Sequence, residues 1–194
     1  PSFADTHVLR SALCLKLHAC ADTGAIIAAA TTSVPEALGT QRTWDYRYCW
    51  LRDAAFVVEA LRRLSHLTEG EAFVSFLRDV AEEGPLQPVY GIGGERTLPE
   101  HHLDHLAGFA GAQPVRIGNA AYAQRQHDLM GEMVLCLETL MTDPRVVTDD
   151  GEALLSLVER LVRDAMAAVP TEDTGPWEFR TLPARYTFSQ VLCW

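Results

Sequence analysis

The chain has 194 residues, 48% of them hydrophobic and 22% charged, a globular mix that excludes wholesale disorder and suffices for a core without disulfide or metal staples. Its 16 basic and 26 acidic residues leave a formal charge of −10. That charge argues against nucleic acid or an anionic membrane as partner and leaves an acidic, soluble surface.

The first residues, PSFADTHVLR, have neither a starting Met nor the basic and apolar regions of a signal peptide. A chain processed or excised from something longer fits this start. No apolar run approaches the ~20 residues that span a bilayer. Residues 8–19 read as a first helix, and the Ala-rich run 25–30 as a short strand followed by the loop TTSVPEALGTQ. A second helix is predicted over 51–64, with Leu51, Ala54, Ala55, Val58, Leu61 and Leu64 as its apolar stripe. Ala72, Phe73, Phe76, Leu77 and Val80 mark a third. Residues 84–118 are rich in Gly and Pro and read as a long irregular connection, a feature more often functional than incidental. The spacing predicts one continuous helix over 120–141, capped by Gly118-Asn119, then helices over 154–169 and 186–194. The chain is therefore expected to be mainly α and to form one unit over 1–194. Bundle, solenoid and α/α toroid all satisfy this pattern.

The five cysteines form no CxxC pair and are odd in number. Their apolar contexts predict reduced, buried thiols and a cytoplasmic setting. His101, His102 and His105 include an i, i+4 pair without an HExxH pattern, so hydrogen-bonded structural histidines are expected rather than a zinc site. Gly91-Ile92-Gly93-Gly94 lacks the spacing of a dinucleotide fingerprint.

Three stretches carry candidate chemistry. WDYRYCWLRD, residues 44–53, gathers four aromatics, two arginines and two aspartates at a helix start. Aromatic faces with paired charges suit a sugar pocket; an Arg–Asp pair between helices with aromatic filler accounts for them equally. In GPWEFR, residues 175–180, Glu178 lies between Trp177 and Phe179. Desolvation there would keep it protonated as a general acid, whereas a loop Glu paired with Arg180 is the plainer alternative. PVRIGNAA, residues 114–121, sets Arg116, Gly118 and Asn119 at a loop-to-helix junction, for hydrogen bonds to a polyol or for simple capping.

WDYRYCWLRDAAF, PVYGIGGERTLPEHHLDHLAGFAGAQPVRIGNAAY and GPWEFR, in this order, resemble the bacterial branch of glycoside hydrolase family 15, which comprises glucoamylases, glucodextranases and trehalases. The similarity runs from Val8 to Trp194. It implies about half of an (α/α)6 toroid, without the N-terminal β-sandwich or the C-terminal half. It implies that Trp50, Arg52 and Asp53 hold the terminal glucose and that Glu178 is the general acid. Arg116, Gly118 and Asn119 then form a pocket wall, Trp177 neighbours the acid, and Trp44, Asp45 and Tyr48 flank the pocket. The implied reaction is inverting hydrolysis of an α-glucoside (maltodextrin, trehalose or isomalto-linked dextran) without cofactor. The catalytic base is expected outside this chain, since no FSEE-like segment occurs, so the isolated chain is expected to be inactive. A carbohydrate-binding module without turnover is the alternative.

Overall fold

The computed structural model describes residues 4–146, 151–180 and 182–194. Among them are six helices: α1 (Asp5–Leu17), α2 (Leu51–Arg63), α3 (Thr68–Glu82), α4 (Asp128–Met141), α5 (Gly151–Ala168) and α6 (Thr187–Cys193). The fold is mainly α, as the periodicities predict, and agrees with a portion of a helical toroid.

The most apolar of the longer helices takes the centre. The face of α4 carrying Leu129, Met133, Leu137 and Leu140 is buried, and α4 packs against α2, α3, α5 and α6. Leu51 and Val58 of α2, Phe73 and Leu77 of α3, and Leu154, Leu157 and Leu161 of α5 complete this core. Each such side chain contributes roughly 1.5–3 kcal/mol on burial. By contrast, α1 buries only Ala12 and leaves Leu9, Leu13 and Leu17 exposed. A Lys16–Glu69 ion pair ties it to α3.

Two expected elements differ. The run 25–30 forms no strand, only an isolated bridge between Ala19 and Ile26. Its successive N–H groups change partner: Ile27 donates to His18 O, Ala28 to Tyr48 O and Ala29 to Tyr46 O, so no ladder with one neighbour develops. The continuous helix expected over 120–141 is broken. A 3-10 turn, Ala120–Ala123, ends where Gln124 becomes extended (φ −78°, ψ 156°), and α4 begins only at Asp128. The break exposes backbone and amide groups that bind the loop before α6, as described below.

The connection 84–118 is not wholly irregular. It contains β2 (Val89–Tyr90), β3 (His101–His102) and β4 (Arg116–Ile117). β2 pairs antiparallel with β1 (Cys49–Trp50), in register Cys49 to Tyr90 and Trp50 to Val89, and β3 pairs antiparallel with β4. The cysteines are all free, but only Cys49, Cys136 and Cys193 are buried; Cys14 is exposed and Cys20 half-buried. Cys14 lies on α1, whose weak apolar stripe leaves most of that helix in solvent. Among the described residues no helix is long and apolar enough to cross a membrane, and no three His, Cys, Asp or Glu side chains are placed to hold a metal ion.

Candidate active site

β1 runs directly into α2. Trp50 is still extended (φ −84°, ψ 119°), and Leu51 N–H donates to Pro88 O at 3.1 Å. The short ladder thus anchors the helix start and puts Arg52 and Asp53 in its first turn. These two and Trp50 line a cavity of about 700 Å³, within the usual size of small-ligand sites. Glu36, Trp44 and Tyr46 supply a second wall, and Trp177, Glu178 and Arg180 a third.

The third wall is a tethered loop. Asp173 and Ala184 exchange backbone hydrogen bonds of 2.9 and 3.0 Å and close its base. Asp173 is buried, and its carboxylate accepts from His127 N–H (2.8 Å) and the Ser189 hydroxyl (2.7 Å), fixing the loop to the starts of α4 and α6. Thr174 N–H donates to Arg125 O at 2.9 Å, and the Gln124 amide donates to Glu178 O at 3.4 Å. Both acceptor and donor come from the break before α4. Gly175 has φ 66°, and a Cβ there would lie 2.7 Å from the Tyr186 ring, so conformation and space both require glycine. Glu178 itself has φ 58°, a left-handed backbone costing a non-glycine residue roughly 1–3 kcal/mol.

Arg52 joins this loop to the helices. Its Nη1 donates to Asp128 Oδ2 at 2.7 Å and to Gln126 Oε1 at 3.1 Å, and its Nη2 donates to Pro176 O at 3.1 Å. Nη2 also stands 3.5 Å from Glu178 Oε1, outside good hydrogen-bonding range. Glu178 therefore has a charge nearby without a strong bond to it. Enclosure by the cavity walls dominates and pushes its pKa up to about 7, Asp53 and Glu36 adding to the rise while Arg52 and Arg180 oppose it. Loss of bulk solvent likewise raises Asp53, against Arg52. On the second wall, Glu36 Oε2 pairs with Arg42 at 2.9 Å while Oε1 accepts from Trp44 Nε1 (3.1 Å) and Tyr46 Oη (3.4 Å).

The elevated Glu178 pKa has a stability consequence. Unfolded, the carboxyl titrates near roughly 4.3; folded, near about 7. Between those values the folded protein holds a proton the unfolded chain has released, so stability falls as pH rises through this window and levels off above it. Glu178→Gln removes the effect. The variant is expected to gain urea resistance over the parent at about pH 8 but not at about pH 4; a pH-independent difference contradicts the raised Glu178 pKa.

Of the residues singled out in the sequence, Trp50, Arg52, Asp53, Trp44, Trp177 and Glu178 meet at the cavity. Arg180 pairs with Glu100 at 2.8 Å, not with Glu178. Arg116, Gly118 and Asn119 are brought together one layer behind the wall rather than on it. Arg116 is occupied by Glu100, by His102 Nε2 (3.0 Å) and by Gln41 O (3.3 Å). Gly118 N–H donates to Tyr48 Oη at 3.1 Å, and Asn119 caps the 3-10 turn while its amide donates to Asp45 O at 3.2 Å. Asp45 is fully buried and holds Arg47 through two bonds of 2.9 Å. Asp128, Gln124, Glu36 and Glu100 were not singled out by the sequence, whereas Tyr46 belongs to the aromatic stretch 44–53. Asp128 opens a helix, where acidic residues are common, and nothing in its local pattern marks Arg52 as its partner.

A mixed aromatic and charged cavity holding a carboxyl whose pKa is raised to about 7 suits a neutral, hydroxyl-rich ligand. Residues 2–194 match the family model described as Glycosyl hydrolases family 15, and the chain belongs to that family. It is similar to the trehalase of Mycolicibacterium smegmatis, 42% identical over 193 residues that make up 97% of this chain and 28% of that protein. It is also similar to the trehalase of Thermoplasma acidophilum, 38% identical over 188 residues, 96% of this chain and 32% of the relative. Trehalase 2 of Sulfolobus acidocaldarius is 35% identical over 175 residues, 88% of this chain and 30% of the relative. The chain thus spans 28 to 32% of the length of these curated relatives. No solved structure matches it.

Proposed function

We propose that this chain carries the sugar clamp and proton donor of an inverting hydrolase of α-glucosidic bonds, with trehalose as the leading substrate. One observation carries the reading: a carboxyl with its pKa pushed up to about 7 shares a cavity with Arg52 and Asp53. Near neutral pH such a group still holds the proton that a departing sugar oxygen needs. Asp53 accepts hydrogen bonds from sugar hydroxyls, and the exposed ring of Trp177 supplies stacking surface for pyranose C–H groups, while Trp50, only 2% exposed, backs the cavity from the core. The names of the relatives favour trehalose over maltodextrin or isomalto-linked dextran.

Inversion requires a second carboxylate ~6.5–9.5 Å from the acid to activate water. Glu36 is bound by Arg42, Trp44 and Tyr46, and Asp53 is committed to the sugar in this reading. The family resemblance implies a base in an FSEE-like segment, which residues 1–194 do not contain, so in this reading the water-activating carboxylate lies outside them. The five free cysteines fit a reducing compartment, and the cytoplasm remains the proposed location.

Proton NMR of early products tests the stereochemistry in the complete protein. Inversion releases equal amounts of α- and β-glucose from trehalose, because only the attacked half changes configuration; α-glucose alone contradicts it. The 194-residue chain by itself is expected to bind a glucose-mimicking inhibitor without releasing glucose. Turnover by this chain would overturn the placement of the base, and turnover absent from the complete protein would favour a binding module.

A further inference from the structure

Taking Glu178 as the proton donor, we infer that Arg180 and Glu100 form a latch, seated on the Trp44 ring, that sets the aim of the Glu178 carboxyl. Arg180 Nη2 donates to Glu100 Oε2 at 2.8 Å and Nη1 to Oε1 at 3.4 Å. The guanidinium lies 4.2 Å from the Trp44 ring centroid. An ordinary surface ion pair contributes little, but here the acceptor side is built in. The Glu100 side chain is only 12% exposed and is also held by Arg116, itself 4.8 Å from the same Trp44 ring. Trp44 is fixed in turn by its bond to Glu36. Two-pronged geometry, stacking and a buried anchor together make a firm attachment.

The latch sits where the loop needs it. Glu178 is held in a left-handed conformation from both sides: Arg52 grips Pro176 O two residues before it, and Glu100 grips Arg180 two residues after. A strained residue persists only where its surroundings over-determine it. Release at either end lets the backbone relax and misaims the carboxyl within the cavity, where it keeps its enclosure. Arg180 is thus a positioning residue, and its Nη1 and Nη2 are already engaged by Glu100.

Arg180 also acts through charge. The charged and titratable groups facing Glu178 are Arg52 and Asp53 from α2, Glu36 and Tyr46 from the second wall, and Arg180 from its own loop. Removing the Arg180 cation raises the Glu178 titration midpoint. Neutralising Glu100 leaves Arg180 and Arg116 without their counter-charge and lowers it.

The test uses the complete protein labelled with carboxyl-13C glutamate, the Glu178 signal being assigned by its loss in E178Q. Arg180→Gln is expected to move the midpoint up, lower kcat on trehalose roughly ten- to hundredfold and leave KM nearly unchanged. Glu100→Gln is expected to move the midpoint down. Arg180→Lys keeps the charge without the two-pronged bond, so the midpoint holds while kcat stays low; it also serves where the Gln variant fails to fold. An unmoved midpoint with full kcat in R180Q overturns the latch, as does a rise in KM alone, which would make Arg180 a substrate ligand. Should the parent protein not cleave trehalose, the hydrolase reading fails separately, and the opposite midpoint shifts still decide the latch.

Discussion

Replacing Glu178 by Gln in the complete protein is expected to lower kcat on trehalose by roughly 10²–10⁴-fold while inhibitor binding survives. Gln keeps the size and one carbonyl acceptor of the carboxyl but has no proton to donate. The clamp residues Arg52 and Asp53 are unchanged, so ground-state affinity has no reason to fall. The loss should shrink on an aryl α-glucoside whose leaving oxygen is acidic enough to depart unprotonated. The parent's kcat should decline above about pH 7, where Glu178 gives up its proton; E178Q should lack that limb. A variant as fast as the parent removes Glu178 from the chemistry.

Arg52→Met is expected to destabilise the protein by about 3–5 kcal/mol, the usual consequence of leaving a buried charge without its partner. Asp128 is fully buried, and its Oδ2 relies on Arg52 at 2.7 Å while Oδ1 has no hydrogen-bond partner. Arg52 also faces Glu132, a buried carboxyl pushed up to about 7 by burial and by Asp128, as well as Asp53 and Glu178. One guanidinium thus moderates four carboxyls and grips the acid loop at Pro176 O. The double variant R52M/D128L should recover much of the stability, since a buried pair replaced by apolar groups is often neutral. It should not recover activity, because the loop tether and the charge beside Glu178 stay lost. Urea denaturation of both variants measures this; a loss below about 1 kcal/mol in R52M would reduce the pair to a surface contact.

The helices were legible because α2, α3 and α5 carry apolar stripes with clear period; burial follows those stripes except at Leu64, Val162 and Val169, which are exposed. The break before α4 was not, since residues 120–141 keep a helical period through Gln124, Arg125 and Gln126. What ends the helix there is tertiary: Gln124 and Arg125 bond to the loop bearing Glu178, and Gln126 accepts from Arg52. The site followed the same division. Trp50, Arg52 and Asp53 are contiguous with a helix start, and Glu178 stands between two aromatics, so their neighbourhoods were readable. The two readings of the Arg and Asp residues in 44–53 both hold in part: Trp44 and Asp53 reach the cavity, while Asp45 pairs with Arg47 and Arg52 with Asp128. Arg116 was legible as a motif but not as a second-layer residue, because Glu100 and His102 reach it only through the β3–β4 pairing.

The central claim is that one sugar ring touches the Arg52/Asp53 clamp and the Glu178 carboxyl together. A crystal structure of the complete protein with a glucose-mimicking inhibitor tests it most directly. The ring is predicted against Trp177, with Asp53 on its hydroxyls and a Glu178 oxygen within about 3 Å of the atom standing for the glycosidic oxygen. An inhibitor bound elsewhere, or a Glu178 carboxyl turned away from a ring held by Asp53, contradicts the account.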